Sequence, residues 1–307
     1  MNAQDYCVVI GGVNVDIGGK AVAPLIPKDS NPGKINVSFG GVARNVAHNM
    51  RLLGLNVKLI TALGEDDYAA KVKKDCERLK IDIEGYLSCP EESTSSYMFM
   101  TDKSGDMVMA ISDMDIYRHI TPQYLETRMD EINKAKVVVV DTNIPTESIA
   151  YLAKRCKVPI FADPVSSTKA ARLIPALSDI YGVTPNSLET RILTGVKVYN
   201  EESMEEASKK FFDTGVKYVL ISLGADGVYV SNKKESVYLK TIPGKVVNTT
   251  GAGDAMMAGF IYGFLNERPL KEMGLIGLAT ATFACETTNT INEEITIEKV
   301  LDRVGLL

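Results

Sequence analysis

Val246-Val247-Asn248-Thr249-Thr250-Gly251-Ala252-Gly253-Asp254 passes from a β-like segment into a helical pattern that continues Ala255-Met256-Met257-Ala258-Gly259-Phe260. Small residues at 251–253 let a ligand approach the backbone closely, and the free N–H groups of a helix start hold phosphate oxygens. The run is a candidate anion hole. Asp254 falls in the first helical turn, where the dipole favours its ionised form, and an ionised carboxylate accepts a proton from a hydroxyl. A phosphoryl group transferred in line at such a place has its charge held by backbone donors and a metal ion, and positioning does most of the catalysis. Taken alone, the run is equally an ordinary glycine-rich helix start with an acidic residue complementing the dipole.

Two other phosphate motifs can be tested against the glycines of this run and of the rest of the chain. Met256 stands where a dinucleotide fingerprint needs its third glycine, and no acidic residue closes a second strand as that fold requires. Gly19-Lys20, Gly33-Lys34 and Gly244-Lys245 all lack the Ser or Thr that follows the lysine of a P-loop.

Around the run, β-rich segments at 7–11, 57–62, 136–141, 158–163, 218–222 and 227–231 alternate with helical patterns at 42–53, 67–79, 187–194, 204–213, 252–265 and 270–287. That alternation predicts an α/β fold, a sheet covered by helices on both faces. Several strands end at Gly, Asp or Asn, where ligands of open α/β sheets gather. Val42, Val46, Met50 and Leu53 recur at helical spacing and are expected to pack on the sheet. Two segments interrupt the pattern. Residues 17–39 contain Pro24, Pro27 and Pro32 with several glycines, and 96–101 with 107–112 read as a hairpin turning at Asp102-Lys103-Ser104-Gly105. Together they predict a small β lid, formed by about 17–39 and 94–112, within one domain spanning 1–307.

The 307 residues are 45% hydrophobic, enough for a substantial core, and the net charge of −5 offers no basic field for a nucleic acid polymer or an anionic membrane. A small-molecule ligand is expected. Five cysteines are scattered without Cys-x-x-Cys pairs, which suits buried, reduced thiols in the cytoplasm. The start, Met1-Asn2-Ala3-Gln4-Asp5, has no basic flank, and no apolar stretch approaches the ~20 residues of a membrane helix, so a soluble chain is expected. With only His48 and His119 present, acid–base chemistry is expected to rest on carboxylates, and His48 to be a packed or surface residue of its helix.

Near the N-terminus, Gly11-Gly12-Val13-Asn14-Val15-Asp16 follows the first candidate strand, so Asn14 and Asp16 are expected to project together at its carboxyl end. A carboxylate and an amide there can grip vicinal sugar hydroxyls; turn chemistry is the alternative. Phe39-Gly40-Gly41-Val42-Ala43-Arg44-Asn45 enters the next helix, with glycines that admit a sugar ring and Asn45 one turn in. A tight turn followed by a solvated asparagine is the alternative.

Together these stretches resemble the ribokinase-type family of carbohydrate and nucleoside kinases, over essentially the whole chain. The likeness rests on Asn14 and Asp16, on Gly40-Gly41-x-x-x-Asn45, on Asn186-Ser187-Leu188-Glu189, on Ser222-Leu223-Gly224-Ala225-Asp226-Gly227 and on Thr250 to Asp254, in that order. It implies a three-layer α/β/α sandwich with a mainly parallel central sheet and a small β lid, and ATP with Mg²⁺ as cofactors. Asp254 is then the general base and Gly251, Ala252 and Gly253 the anion hole, while Asn14, Asp16, Gly40, Gly41 and Asn45 hold the sugar. Asn186 and Glu189 organise phosphate, Mg²⁺ and water, Glu189 acting through water, because Mg²⁺ keeps several of its waters. Ser222, Gly224, Gly227, Thr250, Gly251 and Gly253 border the nucleotide.

A narrower likeness, to members that phosphorylate the 5′-hydroxyl of pseudouridine, rests on Ser30-Asn31-Pro32-Gly33-Lys34, Thr94-Ser95-Ser96-Tyr97, Asp113-Met114-Asp115-Ile116 and Asp163-Pro164-Val165-Ser166. It implies base contacts from Thr94, Asn143 and Lys169, although a lysine is more often a solvated surface charge. A homodimer joined through the lid is expected. One departure stands out: many members have Asp where this chain has Asn248, a position associated with a monovalent cation, and losing that carboxylate weakens the field for potassium.

Overall fold

Four consecutive buried residues, as in Cys7-Val8-Val9-Ile10, suit a strand covered on both faces. A computed structural model describes residues 4–307; the reading of the N-terminus rests partly on residues 1–3, which lie outside the described residues. The strands are β1 (Cys7–Ile10), β2 (Asn14–Ala21), β3 (Gly33–Gly40), β4 (Val57–Ile60), β5 (Ala62–Leu63), β6 (Leu87–Ser88), β7 (Ser96–Thr101), β8 (Met107–Asp113), β9 (Val138–Asp141), β10 (Ile160–Asp163), β11 (Gly182–Val183), β12 (Tyr218–Ser222), β13 (Val228–Asn232) and β14 (Ser236–Leu239). The α-helices are α1 (Val42–Leu52), α2 (Asp67–Arg78), α3 (Pro122–Ile132), α4 (Thr146–Arg155), α5 (Ser187–Thr194), α6 (Glu201–Thr214), α7 (Ala252–Leu265), α8 (Leu270–Cys285) and α9 (Ile297–Arg303).

The main sheet runs β14-β13-β12-β11-β10-β9-β1-β4, parallel from β12 to β4 and antiparallel at β13 and β14. Alternation along β1 divides the core. Cys7 and Val9 join α1, α2, α7 and α8 on one face, while Val8 and Ile10 join α3, α4 and α6 on the other. This is the predicted layered α/β arrangement. The stretch 57–62, read from sequence as one strand, breaks at Thr61, whose carbonyl accepts from Leu87 N, so β5 leaves the main sheet to pair with β6.

A second sheet, β3-β2-β7-β8, contains two strands where the sequence reading saw an irregular proline-rich segment. It starts at Asn14, ahead of the expected residue 17, and ends at Asp113. Proline lies only in the connection between β2 and β3, where no ladder N–H is needed. The hairpin turn is fixed by Asp102 Oδ1, which accepts from the amides of Ser104, Gly105 and Asp106. Ile17, Val37, Met98 and Ile111 are cross-strand partners on one face, followed by Ile35, Met100 and Met109. That face is apolar and open to solvent, with Ile35 79% and Ile111 64% exposed. The other face carries Asp16, Ser38, Tyr97 and Ser112.

No helix among the described residues is long and apolar enough to cross a membrane, and all five cysteines are free. His48 is buried in α1, with neither ring nitrogen hydrogen-bonded. Burial, helped by the Arg44 charge, pushes its pKa down to about 4. An unfolded histidine ionises near 6.5, so the unfolded chain takes the proton first; stability is lost as pH falls from about 6.5 towards 4. We expect His48→Leu to remove ~2 kcal/mol of that loss by about pH 4.5, buried carboxylates contributing equally to both proteins. Melting curves of the two proteins at pH 4.5 and 7.5 check this; parallel losses would refute it.

Candidate active site

Helix α7 begins at Gly251, which caps it in the left-handed region at φ 82°. A Cβ on Gly251 would sit 2.6 Å from the Thr290 carbonyl oxygen, whereas one on Gly253 would meet nothing within 4 Å. The turn therefore presses on the 286–290 segment on one side and is open on the other. Ala252 N, one of the expected anion-hole donors, already donates to the Thr249 carbonyl at 3.2 Å, whereas the amides that follow at a helix start lack intrahelical carbonyls, so the opening can receive an anion on those. Asp254, 8% exposed, lies in the same first turn and accepts from Asn45 Nδ2 at 2.8 Å. Asn45 reaches it from α1, which Gly41 starts with φ 94°.

Two further carboxylates, neither of them among the site residues expected from the sequence although Asp163 opens one of the motifs quoted there, end adjacent strands in register: Asp141 on β9 and Asp163 on β10. Asp141 accepts from the amides of Gly12, Ala43 and Asn143 at 2.9, 3.0 and 2.8 Å, binding three chain segments together. Asp163 accepts from Val165 N at 2.7 Å and from Thr184 Oγ1 at 3.3 Å. Burial raises the Asp163 pKa to about 7, with Glu189 and Asp141 adding to the rise. Asp254 is pushed well above the carboxylate range by burial first and by the charge of Asp163 second; the Asn45 hydrogen bond opposes this. The dipole argument for a readily ionised Asp254 is thus corrected. Desolvation and like charge outweigh a helix terminus worth ~1 kcal/mol.

A raised pKa makes a stronger base that is ionised only at higher pH. With both substrates at limiting concentration, we expect log kcat/KM to rise with pH on a limb above the ordinary carboxylate range. Asp163→Asn, which removes the neighbouring charge, should move that limb to lower pH. A limb in the same place in parent and variant would refute the coupling.

Asn14 and Asp16 open β2 and do not end β1, because Gly11-Gly12-Val13 carries the chain from the main sheet to the small one. They lie two residues apart, on one face of the strand. Asn14 Oδ1 accepts from Ser95 Oγ at 2.8 Å and Tyr117 Oη at 3.2 Å. Asp16 is half-buried, and burial raises its pKa to about 6 against the opposing Arg44 charge. A Cβ on Gly40 would collide with the Asp16 carboxylate, so glycine is what lets the two strands share that space.

Asn143 and Lys169 meet directly: Lys169 Nζ donates to Asn143 Oδ1 at 2.7 Å and lies 3.5 Å from Met114 Sδ. Burial lowers the Lys169 pKa. Arg172 Nη1 donates to the carbonyls of Thr142 and Asn143, holding that loop. Val165 has φ 63°, a strained conformation for a β-branched residue that costs ~1–3 kcal/mol. Thr94 behaves differently. Its hydroxyl donates to Asp66 Oδ1 at 2.8 Å and accepts from Gly64 N at 3.1 Å, so it is engaged in holding its own loop.

Among the residues expected to border the nucleotide and its metal, Asn186 and Glu189 form a capping box at the start of α5. Asn186 Oδ1 accepts from Leu188 and Glu189 amides, and Glu189 Oε2 accepts from Asn186 N at 2.9 Å. Asn186 bridges to Ser222 at the end of β12. Gly224 and Gly227 follow with φ 60° and 112°, and a Cβ on Gly227 would collide with the Leu239 carbonyl. Asn248 Oδ1 accepts from Thr250 N at 3.0 Å. Strand-terminal aspartate was the readable signal for Asp141 and Asp163; for Arg172 there was none.

Residues 4–297 match the model of the pfkB family of carbohydrate kinases. The chain is 37% identical to a pseudouridine kinase of Escherichia coli, over 99% of this chain and 98% of that protein. It is 27% identical to a ribokinase of Haemophilus influenzae, over 90% of each. A solved carbohydrate kinase from Agrobacterium tumefaciens superimposes with a TM-score of 0.88 at 26% identity, covering 99% of this chain and 98% of that one. A sandwich of this topology, an acidic residue at the start of α7 and a family match over nearly the whole length agree: the chain belongs to the pfkB family of carbohydrate kinases, in the ribokinase superfamily.

Proposed function

We propose that this kinase transfers the γ-phosphoryl group of ATP to the 5′-hydroxyl of pseudouridine, giving pseudouridine 5′-phosphate and ADP. The chemistry rests on one observation above all, a buried Asp254 held by Asn45 in the first turn of α7. Asp254 accepts the hydroxyl proton as oxygen attacks phosphorus, and the first amides of α7 receive the charge that builds on the transferred group. Asn14, Asp16, Gly40 and Gly41 border the ribose. The choice of pseudouridine rests on full-length identity to the Escherichia coli enzyme of that name, and on Asn143 and Lys169 as a polar pair suited to a base with several carbonyl and N–H groups.

Mg²⁺ fits the acidic surroundings of Glu189 and Asp163, whose carboxyls are pushed upward by burial. No group of three or more His, Cys, Asp or Glu side chains among the described residues is arranged to hold a metal. That suits an ion carried mainly by phosphates and water, with Glu189 reached through water. When bound it neutralises phosphate charge.

Purified protein incubated with Mg·ATP and a panel of pseudouridine, uridine, adenosine and ribose tests the reading. Phosphorylation at O5′ of pseudouridine, at the highest kcat/KM of the panel, is the expected result. Better use of ribose or adenosine would reassign the substrate, and tight nucleoside binding without ATP consumption would make the protein a sensor.

The apolar face of the small sheet supports a homodimer in which two such faces cover each other about a twofold axis, the arrangement that buries a self-complementary patch. Sedimentation at micromolar concentration should show a dimer, and the pair Met98→Glu with Ile111→Glu a monomer. A monomeric parent would count against it.

A further inference from the structure

The loop that enters the anion hole is tied by direct hydrogen bonds to the end of α8 and to the segment after it. Val247 N and Asn248 N both donate to the Cys285 carbonyl, at 2.8 and 3.2 Å. Asn248 then uses both ends of its amide: Oδ1 accepts from Thr250 N at 3.0 Å, and Nδ2 donates to the Thr288 carbonyl at 3.3 Å. One neighbour offers only a hydrogen and the other only lone pairs, so a flipped amide would set oxygen against oxygen and N–H against N–H. The orientation is determined by its partners.

Many members of the family have Asp at the position of Asn248, one associated with a monovalent cation, and the donor set here does not fit one. A cation needs converging oxygens and gains most from a carboxylate. Here the group facing Thr288 is an N–H donor, and the side chain carries no charge. We infer that the Asn248 amide holds these two loops in the cation's stead, and that the protein works independently of potassium or ammonium. The same geometry states what would restore the site: in Asn248→Asp an oxygen replaces Nδ2 about 3.3 Å from the Thr288 oxygen, a pair that requires a cation between them. Asn248 is in these terms a positioning residue, acting on Gly251 and Asp254 through the loop.

The inference rests on the kinase reading for its rate measurement and on no reading for its second one. The parent protein and Asn248→Asp are compared in potassium chloride and tetramethylammonium chloride at equal ionic strength, by melting temperature and by ADP formation with Mg·ATP and nucleoside. The parent is expected to melt at the same temperature and turn over at the same rate in both salts. Asn248→Asp is expected to be stabilised by potassium in a saturable way, and to lose roughly tenfold or more in rate without it, the scale of one hydrogen bond to a charged group. Saturable stabilisation of the parent by potassium overturns the inference, as does a folded Asn248→Asp that is indifferent to it. Absence of any turnover would refute the kinase reading, while the melting comparison would still decide the cation.

Discussion

Asp254→Asn is expected to lower kcat by at least ~10²-fold while leaving ATP affinity nearly unchanged, the pattern of a group acting in the transition state and not in binding. The substitution is nearly isosteric. Its amide oxygen can still accept from Asn45 Nδ2, so the contact between α1 and α7 survives. What is lost is the ability to take a proton. A buried carboxylate beside Asp163 is also costly to the fold, so the variant should melt at the same temperature or higher. Steady-state kinetics, ATP titration and a melting curve together check this. Near-normal turnover in a folded variant would remove Asp254 from the role of base.

Gly251→Ala should lower kcat/KM for ATP by about 10²-fold, the scale of displacing one donor of an anion hole. Alanine at φ 82° is strained, and its methyl would lie 2.6 Å from the Thr290 carbonyl oxygen and 2.8 Å from Thr290 Cγ2. The neighbour is backbone at the nearest point, so the start of α7 must move. Because the amides that would meet the phosphate are in that turn, a shift of a few tenths of an ångström is felt in catalysis more than in stability. Kinetics within threefold of the parent would mean that the turn does not align the phosphate.

Helices α5 and α7 begin and end where the sequence placed them, because their limits are marked by residues with local effects: the Asn186 cap and Gly195 for one, Gly251 for the other. Helix α6 starts three residues ahead of the expected 204, at its Asn200 cap, because its first turn, Glu201-Glu202-Ser203, is polar and the first apolar residue is Met204. Strand β11 has two residues and no periodicity to read, and the departure of β5 from the main sheet depends on a Thr61–Leu87 hydrogen bond that no local pattern reports. At the site, the glycine-rich runs identified Asn45 and Asp254 separately. Their contact joins residues 209 positions apart, and such proximity is a property of the fold. The rise in the Asp254 pKa was hidden for the same reason, because Asp163 becomes its neighbour only when β10 and α7 are brought together. Thr94 was visible as a polar residue in a motif, but its engagement with Asp66 was not.

The small sheet has a consequence for how this chain can vary. On each of its strands, alternate residues belong to opposite faces, one apolar with Ile17, Val37, Met98 and Ile111, the other polar with Asp16, Ser38, Tyr97 and Ser112. Substitutions at one set leave the other in place, so a lineage can change its outer face and its inner face separately. Insertion or deletion of a single residue within β2 or β7 has the opposite character: it exchanges the two sets beyond that point, turning carboxylate outward and isoleucine inward together. Length changes in this sheet should therefore be confined to its connections, the 22–32 and 102–106 segments, where the chain has room to absorb them.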